Sequence, residues 1–326
     1  MTSHLSSTHF LVAVFALSTF AACGGRRQSA PPANETSSGA EAQSEPTQTN
    51  DTSASPHAAE PSAAAKATQD SKPEQGSTDS AASPSASPEW LVQWDALLQR
   101  YVTPQGFRYQ ALANDADAKA KLEGVIQEID KATPNLWSRE QKLAFYINAY
   151  NAITINAVIQ RWPIKSVMRV PNFFKRKKHR VAGSLLSLDI LENTVIREQF
   201  REPRIHFAVN CASTSCPPLA NKAYTAENLD AMLTAQTQAY VLSSVDVSAC
   251  RPQCAEGNCR CTKQSFVKVS QIFEWFKSDF KFSGGVRGFL ARYLEKGGDS
   301  EKATLLSNTK VRIRHSRYDW SVNAAP

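Results

Sequence analysis

The sequence predicts a single mixed α/β or α+β domain, with a central apolar helix packed on a small sheet. Residues 143–160, LAFYINAYNAITINAVIQ, are apolar on nearly every side, which marks a helix that is central rather than superficial. Other stretches repeat apolar residues at helical spacing, and short β-rich runs lie apart from one another along the chain. Several helices with a few separated strands give that fold class.

The domain begins well inside the chain. Phe10–Ala22 is an uncharged run of thirteen residues, too short to span a bilayer, which takes about 20 residues. It suits the apolar core of a signal peptide over residues 1–22, although only His4 and His9 precede it where a positive charge is usual. Ala21-Ala22-Cys23-Gly24-Gly25 resembles the lipobox of bacterial lipoproteins, with Phe20 where Leu is more usual. The resemblance implies that Cys23 becomes a lipidated N-terminus attached to a membrane by its acyl chains. With no Asp after Cys23, it also implies the cell envelope, at the periplasmic face of the outer membrane.

Residues 23–88 are rich in Ser, Ala, Pro, Thr, Glu and Gln and lack aromatics, so they have too little apolar surface to offset the entropy of ordering. A disordered stalk is expected, with a reach of roughly 40–50 Å as a flexible coil. It carries four of the 37 Lys/Arg and eight of the 30 Asp/Glu, a net −4, which leaves the rest of the chain at +11. A basic domain favours acidic surfaces or polymers. The densest run is Lys175-Arg176-Lys177-Lys178-His179-Arg180. It reads either as a solvated loop or as a contact for anionic lipid or a cell-wall polymer. Without interleaved stacking aromatics it does not suggest nucleic acid.

Within residues 89–326, Trp90, Leu91, Trp94, Leu97 and Leu98 recur at helical spacing and predict the first helix. Gly106–Tyr109 reads as a short extended piece, and Leu122–Ile129 as a second helix. Ser138 and Gln141 have capping-box spacing before the central helix, which Pro163 ends. Asn148, Asn151 and Asn156 lie in that apolar helix, and a buried amide without a partner costs about 1–3 kcal/mol. Asn148 and Asn151, three residues apart, share a face. They either pin neighbouring loops or line a polar pocket. Ser187 caps a helix from Leu188, with Asp189 in its positive first turn. Arg204–Asn210 reads as an interior strand, followed by a loop from Cys211 to Pro218. A helix is expected from Thr225 to Tyr240, strands at 245–247 and 266–269, helices from Ser270 and from Val286, and a last strand at 311–313.

FYINAYNA at 145–152, SLDILENTVIR at 187–197, HFAVNCASTSCPPL at 206–219 and YDWSVN at 318–323 together resemble the domain-of-unknown-function family number 547. The family pattern usually reads Ile-Glu-His where this chain has Leu191-Glu192-Asn193. The resemblance spans most of residues 90–323 and implies no particular chemistry.

Of the seven cysteines, six remain once Cys23 is set aside, an even number that suits disulfides in an oxidising compartment. Cys250, Cys254, Cys259 and Cys261 crowd into a hairpin insertion at 250–261. They form either two disulfides or a four-cysteine zinc site. The single residue between Cys259 and Cys261 hinders tetrahedral closure, so no metal is expected. Cys211 and Cys216, five apart across a Ser-rich turn, form a disulfide, or Cys211 is a free nucleophile. Its base would be His206 or His315, with Asp319 to orient the latter, an order that resembles papain-like or transglutaminase-like catalysis in arrangement alone. A third reading gathers Asn148, Asn151, His206 and Asp319 into one polar cleft, with hydroxyls from Ser213 and Ser215 and Arg197 as an anion clamp. The alternative is that these groups satisfy one another as a buried network.

The functional expectation is an envelope lipoprotein that binds an envelope ligand through this cleft. The alternative is a thiol-dependent or His-assisted hydrolase or transferase acting on an amide or ester. No cofactor is expected, because the chain has no phosphate-cradling Gly-rich loop and no haem-attachment spacing.

Overall fold

The computed structural model describes residues 87–248, 252–255, 258–261 and 266–326. The expected signal peptide, Cys23 and all but the last two residues of the stalk lie outside them, as does Cys250. Helix α1 (Glu89–Tyr101) turns Trp94, Leu97, Leu98 and Tyr101 inward, one stripe at a spacing of three to four residues. A ribbon of β1 (Val102–Thr103) and β2 (Gly106–Phe107) follows. Gly106 has φ 131°, and a Cβ there would lie 2.2 Å from the Asn323 carbonyl oxygen, so glycine lets the C-terminal tail cross this turn. Helix α2 (Tyr109–Asn114) leads to α3 (Ala116–Lys131), whose Asp115 cap accepts from the Ala118 N–H at 2.9 Å.

Helix α4 (Arg139–Ile159) is the predicted central helix, with fourteen of its residues buried. Its capping box is complete: Gln141 N–H donates to Ser138 Oγ at 3.1 Å and Ser138 N–H to Gln141 Oε1 at 2.8 Å. Ser138→Ala should therefore lower stability by about 1 kcal/mol in urea unfolding, with Ser138→Thr close to wild type. An alanine variant indistinguishable from wild type would show that the cap contributes nothing here.

After α4 come the hairpin β3 (Lys178–Val181) and β4 (Ser184–Ser187), then α5 (Leu188–Ile190), capped by Ser187 Oγ at 3.2 Å from Ile190 N. The chain continues from α5 into a wider π-helical coil at Leu191–Glu198. The predicted strand at 204–210 is not formed. Pro203–Phe207 is a 3-10 helix, and the Glu202 carboxylate accepts from Arg204 N–H at 3.1 Å at its start. Proline is preset for a first helical turn, and buried Asn151 meets the backbone beyond it, so no sheet partner is required.

Helix α6 is Leu229–Ser244, shorter at its start than predicted because Thr225 and Asn228 close a turn on each other. The insertion forms the antiparallel pair β5 (Pro252–Ala255) and β6 (Asn258–Cys261). Strand β7 (Phe266–Val269), helices α7 (Ile272–Trp275), α8 (Gly285–Lys296) and α9 (Ser300–Ser307), and strand β8 (Arg312–His315) complete the described elements. β7 and β8 pair in parallel, while 245–247 contributes only a bridge from Asp246 to Lys268. The result is the expected mixed domain, helical in the main, with four two-stranded sheets among the described residues. No helix among those residues is long and apolar enough to cross a membrane.

Two apolar clusters fill the interior. One joins α1–α4 to the π-helical coil, and the other joins α6–α9 to β7. The 203–209 segment divides between them, with Ile205, Ala208 and Val209 in the first and Phe207 in the second. Every displacement of that segment is thus felt by both.

Candidate functional site

The asparagines of α4 position the segment that carries the cysteines. Asn148 donates to Tyr224 O at 2.7 Å and accepts from Tyr224 N–H at 3.0 Å and from the Trp94 indole at 3.2 Å. Asn151 donates to Ala208 O at 2.9 Å and accepts from Asn210 N–H at 2.8 Å. Both are buried and pin neighbouring loops, and Asn148 also borders a cleft of about 390 Å³ with Trp90, Phe145 and Tyr224. Asn210 extends the network: its amide donates to Pro217 O, and its oxygen accepts from Ala212 N–H and from Asn323 Nδ2.

His206 is buried and faces away from any thiol partnership. Its Nε2 lies 2.8 Å from Asp279 Oδ2, and its ring stacks on Phe276 at 4.1 Å. Arg197 holds the same carboxylate with two hydrogen bonds, at 2.7 and 2.9 Å, donates to Asn193 Oδ1, and lies over Phe276. Burial lowers the His206 pKa against the pull of Asp279, so the imidazole is neutral at pH 7. For Asp279, burial raises the pKa, but hydrogen bonds from His206 and Arg197 outweigh it and hold the carboxyl well below its ordinary range. The arrangement clamps the π-helical coil, the 203–207 turn and the 276–280 segment together.

The expected triad is therefore not assembled from these partners. His206 is engaged by Asp279, His315 Nε2 is 3.7 Å from Glu274 Oε2, and Asp319 accepts from Ser321 N–H and Oγ. Of the proposed cleft, Asn148, Asn151, His206 and Arg197 are instead tied into buried or half-buried networks, and Asp319 is exposed. Such a network suits the bland alternative to an open cleft.

The structure does bring together a second set. Cys211 and Cys216 are free, half-buried thiols here, not a bridge. The Cys211 N–H donates to Cys216 Sγ at 3.1 Å, and Cys216 N–H closes the turn on Ser213 O at 3.0 Å. Around Cys211 Sγ stand Ser213 Oγ at 3.0 Å and Tyr318 OH at 3.3 Å, themselves 3.1 Å apart. Hydrogen bonding from Cys216 is the main influence lowering the Cys211 pKa; burial opposes it, and Ser213 and Tyr318 assist. Burial and the neighbouring Cys211 push the Cys216 thiol up. Of the pair, Cys211 is thus the more readily deprotonated and Cys216 the one that holds its proton.

Loop 211–216 is clasped by the tail. Thr214 N–H donates to Ser321 O, Asp319 N–H to Ser215 Oγ at 2.8 Å, and Asn323 N–H to Ala212 O. Cys216, Tyr240, Ser270, Arg317 and Tyr318 help line a cleft of about 330 Å³ beside it. Sequence reasoning chose Asp319 from the YDW motif and missed its neighbour Tyr318. It also missed Asp279, which no motif marks.

In the insertion, Cys254 and Cys259 are joined. Cys261 belongs to β6, and Cys250 falls outside the described residues. In the basic run, Lys177 Nζ donates to Gln160 Oε1 at 2.8 Å, and His179 is lowered to about 4 by burial and by nearby Lys177 and Arg161. Lys175, Arg176, Lys178 and Arg180 stay exposed. Among the described residues no three His, Cys, Asp or Glu side chains converge to hold a metal ion.

The α4 amides, the π-helical coil, the 203–207 turn and the cysteine loop form one continuous stretch of sequence. Residues 134–241 match the family described as Protein of unknown function, DUF547. The DUF547 segment holds Asn148, Asn151, Arg197, His206 and both cysteines, while Asp279, Tyr318 and Asp319 come from beyond it. No curated protein and no solved structure matches the chain.

Proposed function

We propose that the domain performs thiol–disulfide exchange in the cell envelope, tethered by lipid on Cys23, with Cys211 as attacking thiolate and Cys216 as resolving thiol. The observation that carries this reading is a hydroxyl chain ending on one sulfur: Ser213 Oγ donates to Tyr318 OH at 3.1 Å, and Tyr318 OH lies 3.3 Å from Cys211 Sγ, with Cys216 five residues on. A phenol that donates to the sulfur, itself polarised by Ser213, favours the thiolate, the form of cysteine that attacks. Acyl transfer needs a proton donor for its leaving group as well as a thiolate, and His206 and His315 face Asp279 and Glu274 instead. Disulfide exchange needs only a thiolate, a disulfide and a second thiol.

The steps balance. Cys211 thiolate attacks one sulfur of a substrate disulfide, forming a mixed disulfide and releasing the other sulfur as a thiolate, which takes a proton. Cys216 then gives up its proton and attacks the Cys211 sulfur, closing a Cys211–Cys216 bridge and releasing the second substrate thiol. The substrate is reduced by two electrons and the cysteine pair is oxidised by two; the reverse oxidises a dithiol. The bridge expected from the spacing and the free thiols of the structure are then two states of one site.

The test is alkylation mapped by mass. At pH 7 Cys211 should react with iodoacetamide about ten-fold faster than Cys216, and Tyr318→Phe should narrow that gap by removing one donor. In Cys216→Ser, oxidised glutathione should leave a lasting mixed disulfide on Cys211, whereas the wild type should resolve to the internal bridge. Equal alkylation rates, or no mixed disulfide in Cys216→Ser, would sink the reading.

A further inference from the structure

Arg317 and Tyr318 stand between two clefts and line both. One is the cleft that Cys216 opens onto, and the other is a groove of about 650 Å³ between the Val167–Arg169 turn and the tail. Lys165 and Arg169 stand on the groove's other wall, and all three cations are exposed. The carboxylate in that lining, Asp319, is occupied with Ser321 N–H at 2.9 Å and Ser321 Oγ at 2.7 Å. Three positive side chains against one carboxylate leave the groove net positive. Its apolar surface is aromatic: Tyr318 and Trp320 pack at 4.6 Å between centroids, and Trp275, 44 % exposed, stacks on Trp320 at 5.7 Å. A concave site lined by one sign of charge concentrates ions of the other sign.

We propose that the substrates of the cysteine pair are anionic disulfides, seated with their carboxylates toward Arg317, Arg169 and Lys165 and their apolar parts against Trp320. The proposal rests on the exchange reading above and adds its substrate class. Its direction opposes that of an isolated thiolate, which repels an anionic disulfide and reacts faster with a cationic one. An inverted order of charge preference is therefore a property of the groove and not of the sulfur.

The experiment uses Cys216→Ser in the full chain, which isolates the first attack, and three 2-pyridyl disulfides with the same leaving group. These carry mercaptopropionate, mercaptoethanol and cysteamine, so their charges are negative, neutral and positive. The Cys211–probe bond forms, the probe disulfide breaks, and pyridine-2-thione leaves and is read by absorbance. At low salt the anionic probe should react at least about ten-fold faster than the cationic one. The preference should fade near 1 M salt, where the screening length is about 3 Å. Arg169→Gln with Arg317→Gln should bring the anionic probe's rate down to that of the neutral probe in the same variant. If the cationic probe is fastest, as for free cysteine, or salt changes nothing, the substrate class is overturned and the exchange reading survives. If Cys211 releases no thione from any probe, the exchange reading itself falls, and the substrate class with it.

Discussion

Asp279→Ala should destabilise the domain by about 2–3 kcal/mol, below the scale of about 3–5 kcal/mol for a fully buried ion pair because Arg197 and Asp279 are half-buried. The carboxylate satisfies Arg197 through two hydrogen bonds and His206 through a third, and its loss leaves a guanidinium and an imidazole unmet against Phe276. The pH dependence has a definite sign. Asp279 has a depressed folded pKa, so its contribution is present above the unfolded carboxyl value and is lost as pH falls through the folded one. His206 also has a depressed folded pKa, but as a base. The unfolded chain therefore binds its proton first, and stability falls as pH drops below the ordinary histidine value of 6.5. Both effects make acid destabilising. Urea unfolding of the wild type should lose stability between pH 7 and 5.5, and His206→Gln should flatten that interval. A variant Asp279→Ala within 1 kcal/mol of wild type would mean that the clamp holds nothing.

Asn151→Leu should cost about 3 kcal/mol while keeping the helix and the side-chain volume. The substitution strands the Ala208 carbonyl and the Asn210 N–H in the interior, and each unmet buried group costs about 1–3 kcal/mol. Asn210 in turn steadies Ala212, Pro217 and Asn323, so the loss reaches the cysteine loop. The difference in alkylation rate between Cys211 and Cys216 should shrink in a variant that remains folded by circular dichroism. An unchanged unfolding midpoint together with an unchanged rate ratio would detach α4 from the thiol loop.

Much of this arrangement is written locally. Ser138 and Gln141 announce the start of α4, and its near-uniform apolarity announces its burial. Amides in such a helix had to find partners, and they did, in the backbone at 208–210 and at 224. The 204–210 segment misled because a short apolar run is compatible with either a buried strand or a buried turn. What decided it was Asn151, more than fifty residues earlier, supplying the hydrogen bonds that a neighbouring strand would have given. Asp279 was illegible for a related reason: its meaning lies in Arg197 and His206, 82 and 73 residues away. Tyr318 lay inside a motif that had been noticed, but nothing in the sequence says which member of YDW turns toward a sulfur 107 residues before it.

The tail carries one more consequence. Phe107 N–H donates to Asn323 O, Val322 N–H to Lys165 O and Thr214 N–H to Ser321 O, so residues 321–323 stitch together three stretches far earlier in the chain. Such far-separated pairings close late in folding. Until residues 318–323 are in place, Cys211 and Cys216 lack Tyr318 and the clasp that orders their loop. A nascent chain halted before residue 318 would present two ungoverned sulfurs, open to scrambling with the hairpin cysteines.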